Sequence, residues 1–188
     1  NNIILSPAQK ALAINLDDSI YGSFVEIGAG QEVVRNFFRV GSASSTIAKT
    51  MSAYDKDFSD AIYEREPDGR YVCKSRLEKM LQKEYSLLEE RLNRDNYNNT
   101  CYFAFADTIA TINYSKTTKG HGWMGLRFQL TPDQKPNDFI IHVLLNDAEA
   151  QLQQATVGII GTNMLHACFN ETDPKEIFNT TVNLKKKF

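Results

Sequence analysis

The stretch that most restricts the fold lies in the second half of the chain. After "NRDNYNNT" (93–100), a run of turn formers, three apolar segments follow closely: "CYFAFADTIATINY" (101–114), "GWMGLRFQL" (122–130) and "DFIIHVLLN" (138–146). Each has the length and the aromatic and β-branched content of a strand. The links between them are too short for crossover helices, and "TPDQKPND" carries two prolines, so the pattern predicts antiparallel pairing. A long helix is expected from about Ala148, with Asn146 and Glu149 at capping-box spacing. Gly158 and Gly161 lie inside it, where glycine costs about 1 kcal/mol relative to alanine, so close packing against another backbone is expected there.

The first half has helical punctuation instead. Ser6 and Pro7 precede "AQKALAINL" as N-cap and first helical residue. "YGSFVEIG" is expected as a strand, residues 31–40 as a helix, "GSASSTIAKT" (41–50) as a loop or close-packed turn, "FSDAIYE" as a short helix and "REPDGRY" (65–71) as a turn. The strongest helical signal runs from about Val72 to Arg94, with Leu77, Met80, Leu81, Tyr85, Leu88 and Leu92 at steps of three and four. A short amphipathic segment near Glu176 and the basic residues 185–187 end the chain. The expected fold is mixed α/β (α+β): a helix-rich N-terminal half on a sheet whose later strands are antiparallel, closed by the long C-terminal helix. Residues 1–188 are expected to form one domain of a longer chain, with a sub-boundary near 93–100.

Composition narrows the function classes. The chain has 188 residues, 42% hydrophobic and 23% charged, with a net charge of −2. Nothing in that balance draws the molecule to nucleic acid or to an anionic membrane. No apolar run is long enough to span a bilayer. Three cysteines, Cys73, Cys101 and Cys168, are widely spaced and unpaired in pattern, which points to a reducing, cytoplasmic setting. There is no HxH, HExxH or paired-cysteine spacing, so no metal is expected, and no motif assigns a cofactor.

Two segments carry candidate chemistry. In "SFVEIGAGQEVVRNFF" (23–38) a strand ends in Gly-x-Gly and passes into a helix, which presents bare N–H groups at a positive helix end where phosphate or carboxylate binds. The alternative is a tight turn that needs glycine only for its backbone. "VEIGAGQ" resembles the first motif of S-adenosylmethionine-dependent methyltransferases, and that resemblance implies Glu26, Gly28 and Gly30 as ligand-lining residues. The chain departs from it at Gln31-Glu32, where another glycine is usual. The dinucleotide fingerprint fails at Val33.

The second segment is "YSKTTKGHGWMGLRFQL" (114–130). Lys116, Lys119 and His121 crowd a glycine-rich loop. Period-two alternation then places Trp123, Gly125, Arg127 and Gln129 opposite Met124, Leu126, Phe128 and Leu130. An indole beside a guanidinium, with room over Gly125, suits a flat anionic ligand. A half-buried Trp123 on an ordinary sheet face is the alternative. His121 is the candidate acid or base. Asp107, in an apolar strand, needs a partner, for which Arg127 and Lys119 are the candidates, and is the second catalytic candidate. His142 is expected in the core or at an interface.

Taken together, "SIYGSFVEIGAGQEVVRNFFRVGSASSTIAKTMSAYDKDFSDAIY", "GRYVCKSRLEKMLQKEY", "GHGWMGLRFQ" and "GIIGTNMLHACF" resemble an uncharacterised family of longer bacterial proteins. Sequences of that family carry the labels nicotinate-nucleotide adenylyltransferase and TonB-dependent receptor. "GSFVEIGAG" lacks both histidines of the GxFxPxHxGH motif of the first, and a helix-containing chain cannot build the barrel of the second. The resemblance assigns no catalytic residue. Two functions are expected: a domain that binds a small anionic ligand such as a nucleotide or phosphate ester, with group transfer by His121 and Arg127 if it is an enzyme, or a non-catalytic module for homo-oligomer or interdomain assembly.

Overall fold

The computed structural model describes residues 4–185. Five strands form one sheet: β1 (Ile20–Ile27), β2 (Ile47–Met51), β3 (Cys101–Ala110), β4 (Gly120–Phe128) and β5 (Asn137–Leu145), in the order β2-β1-β3-β4-β5. β2 and β3 both pair parallel with β1. β4 is antiparallel to β3 and to β5, as the short connections predict. The helices are α1 (Pro7–Asn15), α2 (Glu32–Arg39), α3 (Lys56–Tyr63), α4 (Lys74–Arg91), α5 (Ala150–Asn170) and α6 (Pro174–Thr181).

The parallel crossovers decide the layers. The chain steps from β1 to β2 in one direction through α2, then back across β1 to β3 through α3 and α4. A right-handed rule applied to opposite directions puts the two connections on opposite faces. One face accordingly buries Phe24, Phe103, Phe105 and Ile109 with Val33, Phe37, Ile160 and Met164. The other buries Val25, Ile27 and Ala106 with Leu77, Met80 and Leu81. The predicted helix over 72–94 is α4, and the predicted leucine face is its buried face.

Two local expectations are corrected, and a third holds. The 41–50 stretch holds all but the last residue of β2, a strand whose small and polar residues (Ala48, Lys49, Thr50) hid it from a reading by apolar content. The capping box at Asn146 and Glu149 does not form: α5 starts at Ala150 with Glu149 as N-cap and no side-chain cap bond. Gly158 and Gly161 do permit close packing, but on α2 of the same chain. A Cβ on Gly161 would lie 2.4 Å from Val33, and one on Gly158 would lie 3.1 Å from the Glu32 carbonyl oxygen. Among the described residues no helix is long and apolar enough to cross a membrane.

Candidate functional site

The glycine turn after β1 is sealed from within. Glu26, 1% exposed, accepts hydrogen bonds from the backbone N–H groups of Val33 (3.0 Å) and Val34 (3.2 Å) in the first turn of α2. The anion that a helix start attracts is thus supplied by the preceding strand. Gly28 has φ +95, and a Cβ there would stand 2.0 Å from the carbonyl oxygen of Ile109, so the turn is pressed onto the end of β3. Gly30 has φ +82 and open space beside it.

Beside Glu26, in register on the neighbouring strand, lies Asp107, with no exposure. Its expected cations are not there. Arg127 pairs with Ala104 in the β3–β4 register and points to the opposite face of the sheet, and Lys119 is exposed in the loop. Neither Asp107 oxygen has a hydrogen-bond donor among the described residues, which leaves the carboxyl of Glu26 as its polar neighbour across the strands. Burial, then the charge of Glu26, holds the Asp107 carboxyl well above its usual range; burial likewise pushes Glu26 up to about 7. The pair is a buried carboxyl dyad whose surroundings favour the protonated form.

The open polar site is elsewhere, at the carboxyl ends of the parallel strands. In an open α/β sheet of order 2-1-3-4-5 the crossovers diverge between β1 and β3, and that switch point is where ligands enter. On the α3/α4 side of this end is a cavity of about 560 Å³, lined by Lys56, Gly69, Arg70, Tyr71, Val72, Ala110 and His121. Lys56 opens α3 after β2, and Ala110 ends β3 directly opposite His121 of β4. The other four residues come from the loop before α4. Thr108 of β3 donates to the Tyr71 carbonyl oxygen at 2.6 Å, and α4 begins at Lys74 with Cys73 as N-cap and no side-chain cap bond.

A buried cation anchors that loop. Arg76, with no exposure, donates to Ser59, to Asp60 and to the carbonyl oxygen of Glu64 at 2.9 Å. Its Nε lies 3.6 Å from Glu66, which also receives Ser75 (2.8 Å) and Lys79 (3.0 Å). Glu64 has φ +66, a conformation that non-glycine residues avoid, and the Arg76 bond to its carbonyl group holds it there. The cluster ties α3 and the 64–72 loop to α4.

Of the residues singled out in the sequence, His121 lines the cavity, and Lys119 lies two positions before it, exposed. Trp123 and Arg127 share one sheet face, as the alternation predicts, but no slot separates them. The space over Gly125 is filled by Leu77 and Leu81 of α4 and by Ile140, at 3.0–3.2 Å from a virtual Cβ. Arg127 makes a two-pronged pair with Asp138, both bonds 2.8 Å, and the Trp123 ring lies 4.7 Å from that of His142. His142 is exposed on β5, not in the core. Among the described residues no three His, Cys, Asp or Glu side chains converge to hold a metal.

Sequence reading missed Lys56, Arg70 and Tyr71. The signal for Arg70 and Tyr71 was the turn "PDGRY" between two helices, but its position at the switch point depends on β2, which the sequence conceals.

No family model matches the chain, and no curated protein matches it. Solved structures do share its architecture. The competence/damage-inducible protein CihA from Agrobacterium tumefaciens superposes with a TM-score of 0.63 at 14% identity, covering 90% of this chain and 100% of that one. A competence-damaged (CinA) superfamily protein from Enterobacter cloacae gives 0.60 at 11% identity over 90% and 96% of the two chains. A competence or damage-inducible protein from Enterobacter asburiae gives 0.59 at 11% over 89% and 100%. This corrects the resemblance drawn from sequence: neither the adenylyltransferase nor the TonB-receptor label describes a protein of this architecture. The chain has the fold of the competence/damage-inducible CinA proteins.

Proposed function

We propose that the cleft at the carboxyl end of β3, beside His121 of β4, binds a small anionic ligand, a phosphate ester or nucleotide. The observation that carries this reading is the make-up of the cavity wall: Lys56, Arg70 and His121 face it and no carboxylate does. The partners that Lys56 and Arg70 have are loose, Asp60 at 3.6 Å and Asp68 at 3.9 Å. A phosphate gives Arg70 a two-pronged acceptor in their place. The uncapped start of α4 adds bare amides of the right polarity, and Tyr71 adds a ring for a flat group. The Gly28–Gly30 turn contributes by shaping the end of β3 rather than by holding the anion, because Glu26 occupies the α2 amides. For group transfer, His121 on the cavity wall is the proposed acid or base.

Thermal unfolding with a panel of nucleoside phosphates and sugar phosphates tests the reading. A compound at a hundred times its Kd adds about 2.7 kcal/mol to stability. Arg70→Ala and Lys56→Ala together are expected to remove that shift while the unliganded melting temperature stays put. A panel that moves nothing, or a shift that survives both substitutions, defeats the proposal.

A further inference from the structure

The two edges of the sheet are finished differently. β2 is five residues long, its register with β1 is broken by an irregularity, and Lys49 at its centre is tied to Glu84. Those are the usual devices that keep an edge from pairing with another chain. β5 has none of them. It runs for nine residues in unbroken register with β4, contains no proline, glycine or lysine, and its one charged residue, Asp138, is held by Arg127. Leu144, 68% exposed, and His142 stand out from it. Only one side of β5 has a strand beside it among the described residues, and such an edge is a template for strand addition.

We infer that β5 pairs antiparallel with β5 of a second copy about a two-fold axis through His142, continuing the sheet from one chain into the other. The sequence of the edge is self-complementary in that register. Ile140 falls opposite Leu144 of the second copy, Ile141 opposite Val143, and Phe139 opposite Leu145. Asp138 faces the Asn146 amide. Beyond the strand, Lys135, exposed, faces Glu149, which is 60% exposed and has one carboxylate oxygen on Lys116. The neighbouring register, centred on Ile141, instead sets Asp138 against Leu144 and Ile140 against His142, which opposes polar to apolar side chains and loses the Ile140–Leu144 contact. Because a residue-centred two-fold keeps each face on its own side, the Trp123–His142 rows of the two copies meet across the axis. The inference does not depend on the ligand proposal, since His121 and the cavity residues take no part in the pairing.

Light scattering and sedimentation across a wide concentration range read the assembly. The unmodified chain is expected to reach twice the chain mass. Leu144→Lys, at a position exposed enough to leave folding intact, is expected to stay monomeric with an unchanged melting profile at low concentration. His142→Cys in a Cys73→Ser background reads the register. Opposed residues in an antiparallel pair have Cα atoms about 4.5–5.5 Å apart, inside the disulfide range of about 4.4–6.8 Å. The variant should therefore cross-link under mild oxidation, while Cys101 and Cys168 are buried and remain free. A chain monomeric at every concentration, or a dimer indifferent to Leu144→Lys, overturns the inference. A dimer lost in Leu144→Lys whose His142→Cys form does not cross-link overturns the His142-centred register.

Discussion

Two helix starts on either side of the β1–β3 switch point face the same physical problem and solve it oppositely. At α2 the bare amides of Val33 and Val34 are met by Glu26, so the glycine turn that resembles an anion cradle already contains its anion. At α4 no side chain caps the first turn, and the loop leading to it lines a cavity with Lys56, Arg70 and His121. A glycine-rich strand-to-helix turn therefore signals a positive helix end without saying whether protein or ligand fills it. That depends on whether a carboxylate in the strand points toward the helix.

Substitution is the most direct way to break this contrast. The largest effect is expected on the open side. Arg76→Ala leaves Glu66 without its buried cation and releases the strained Glu64, so unfolding measurements should show a loss of about 3–5 kcal/mol. On the sealed side, Gly28→Ala drives a Cβ into the Ile109 carbonyl group and should cost on the order of 3 kcal/mol by denaturant titration.

The dyad sharpens the comparison through pH. Glu26 and Asp107 both have folded values above the unfolded range, so the native state keeps protons that the unfolded chain gives up. Stability from this source is complete below about pH 4, the unfolded carboxyl range, and is lost as pH rises through about 7. The decline should be on the order of 3 kcal/mol, and it should flatten in Asp107→Asn, whose amide donates to Glu26 without titrating. A pH-independent melting temperature over that window would show that the two carboxyls are not held in the protonated form.

Gly30→Ala isolates backbone conformation from crowding. With φ +82 and nothing near its side-chain direction, it should cost only about 1 kcal/mol, well below its neighbour Gly28. Arg70→Ala should have the smallest effect on stability, under about 0.5 kcal/mol, because the side chain is exposed and loosely paired. Any consequence of that change belongs to ligand binding, which calorimetry of the two proteins would expose.

Much of the architecture was legible. The leucine spacing of α4 and the alternation of Met124, Leu126 and Phe128 against Trp123 and Arg127 are local consequences of helix and strand periodicity, and both hold in three dimensions. β2 was not legible, because Ile47–Met51 is short, lies at an edge and owes its conformation to pairing with β1. The residues that line the cavity were legible only in part. His121 was found through its glycine-rich loop, while Lys56 and Arg70 are ordinary surface cations until the crossovers through β2 carry them to one cavity. Asp107 was recognised as a buried charge, but its partner was sought among cations, and opposite-facing strand positions made Arg127 unreachable.

By itself the sequence determined the period of each major element, the antiparallel return of the last strands and the presence of a glycine turn from strand to helix at residues 28–30. Those are local properties, decided by steric limits on the backbone and by which side chains avoid water. Only the tertiary structure decided that Glu26 meets Asp107, that α4 closes the space over Gly125, and that one end of the sheet collects Lys56, Arg70 and His121. Each of these is a convergence of segments far apart in the chain, set by strand order and crossover direction, and no local pattern encodes it.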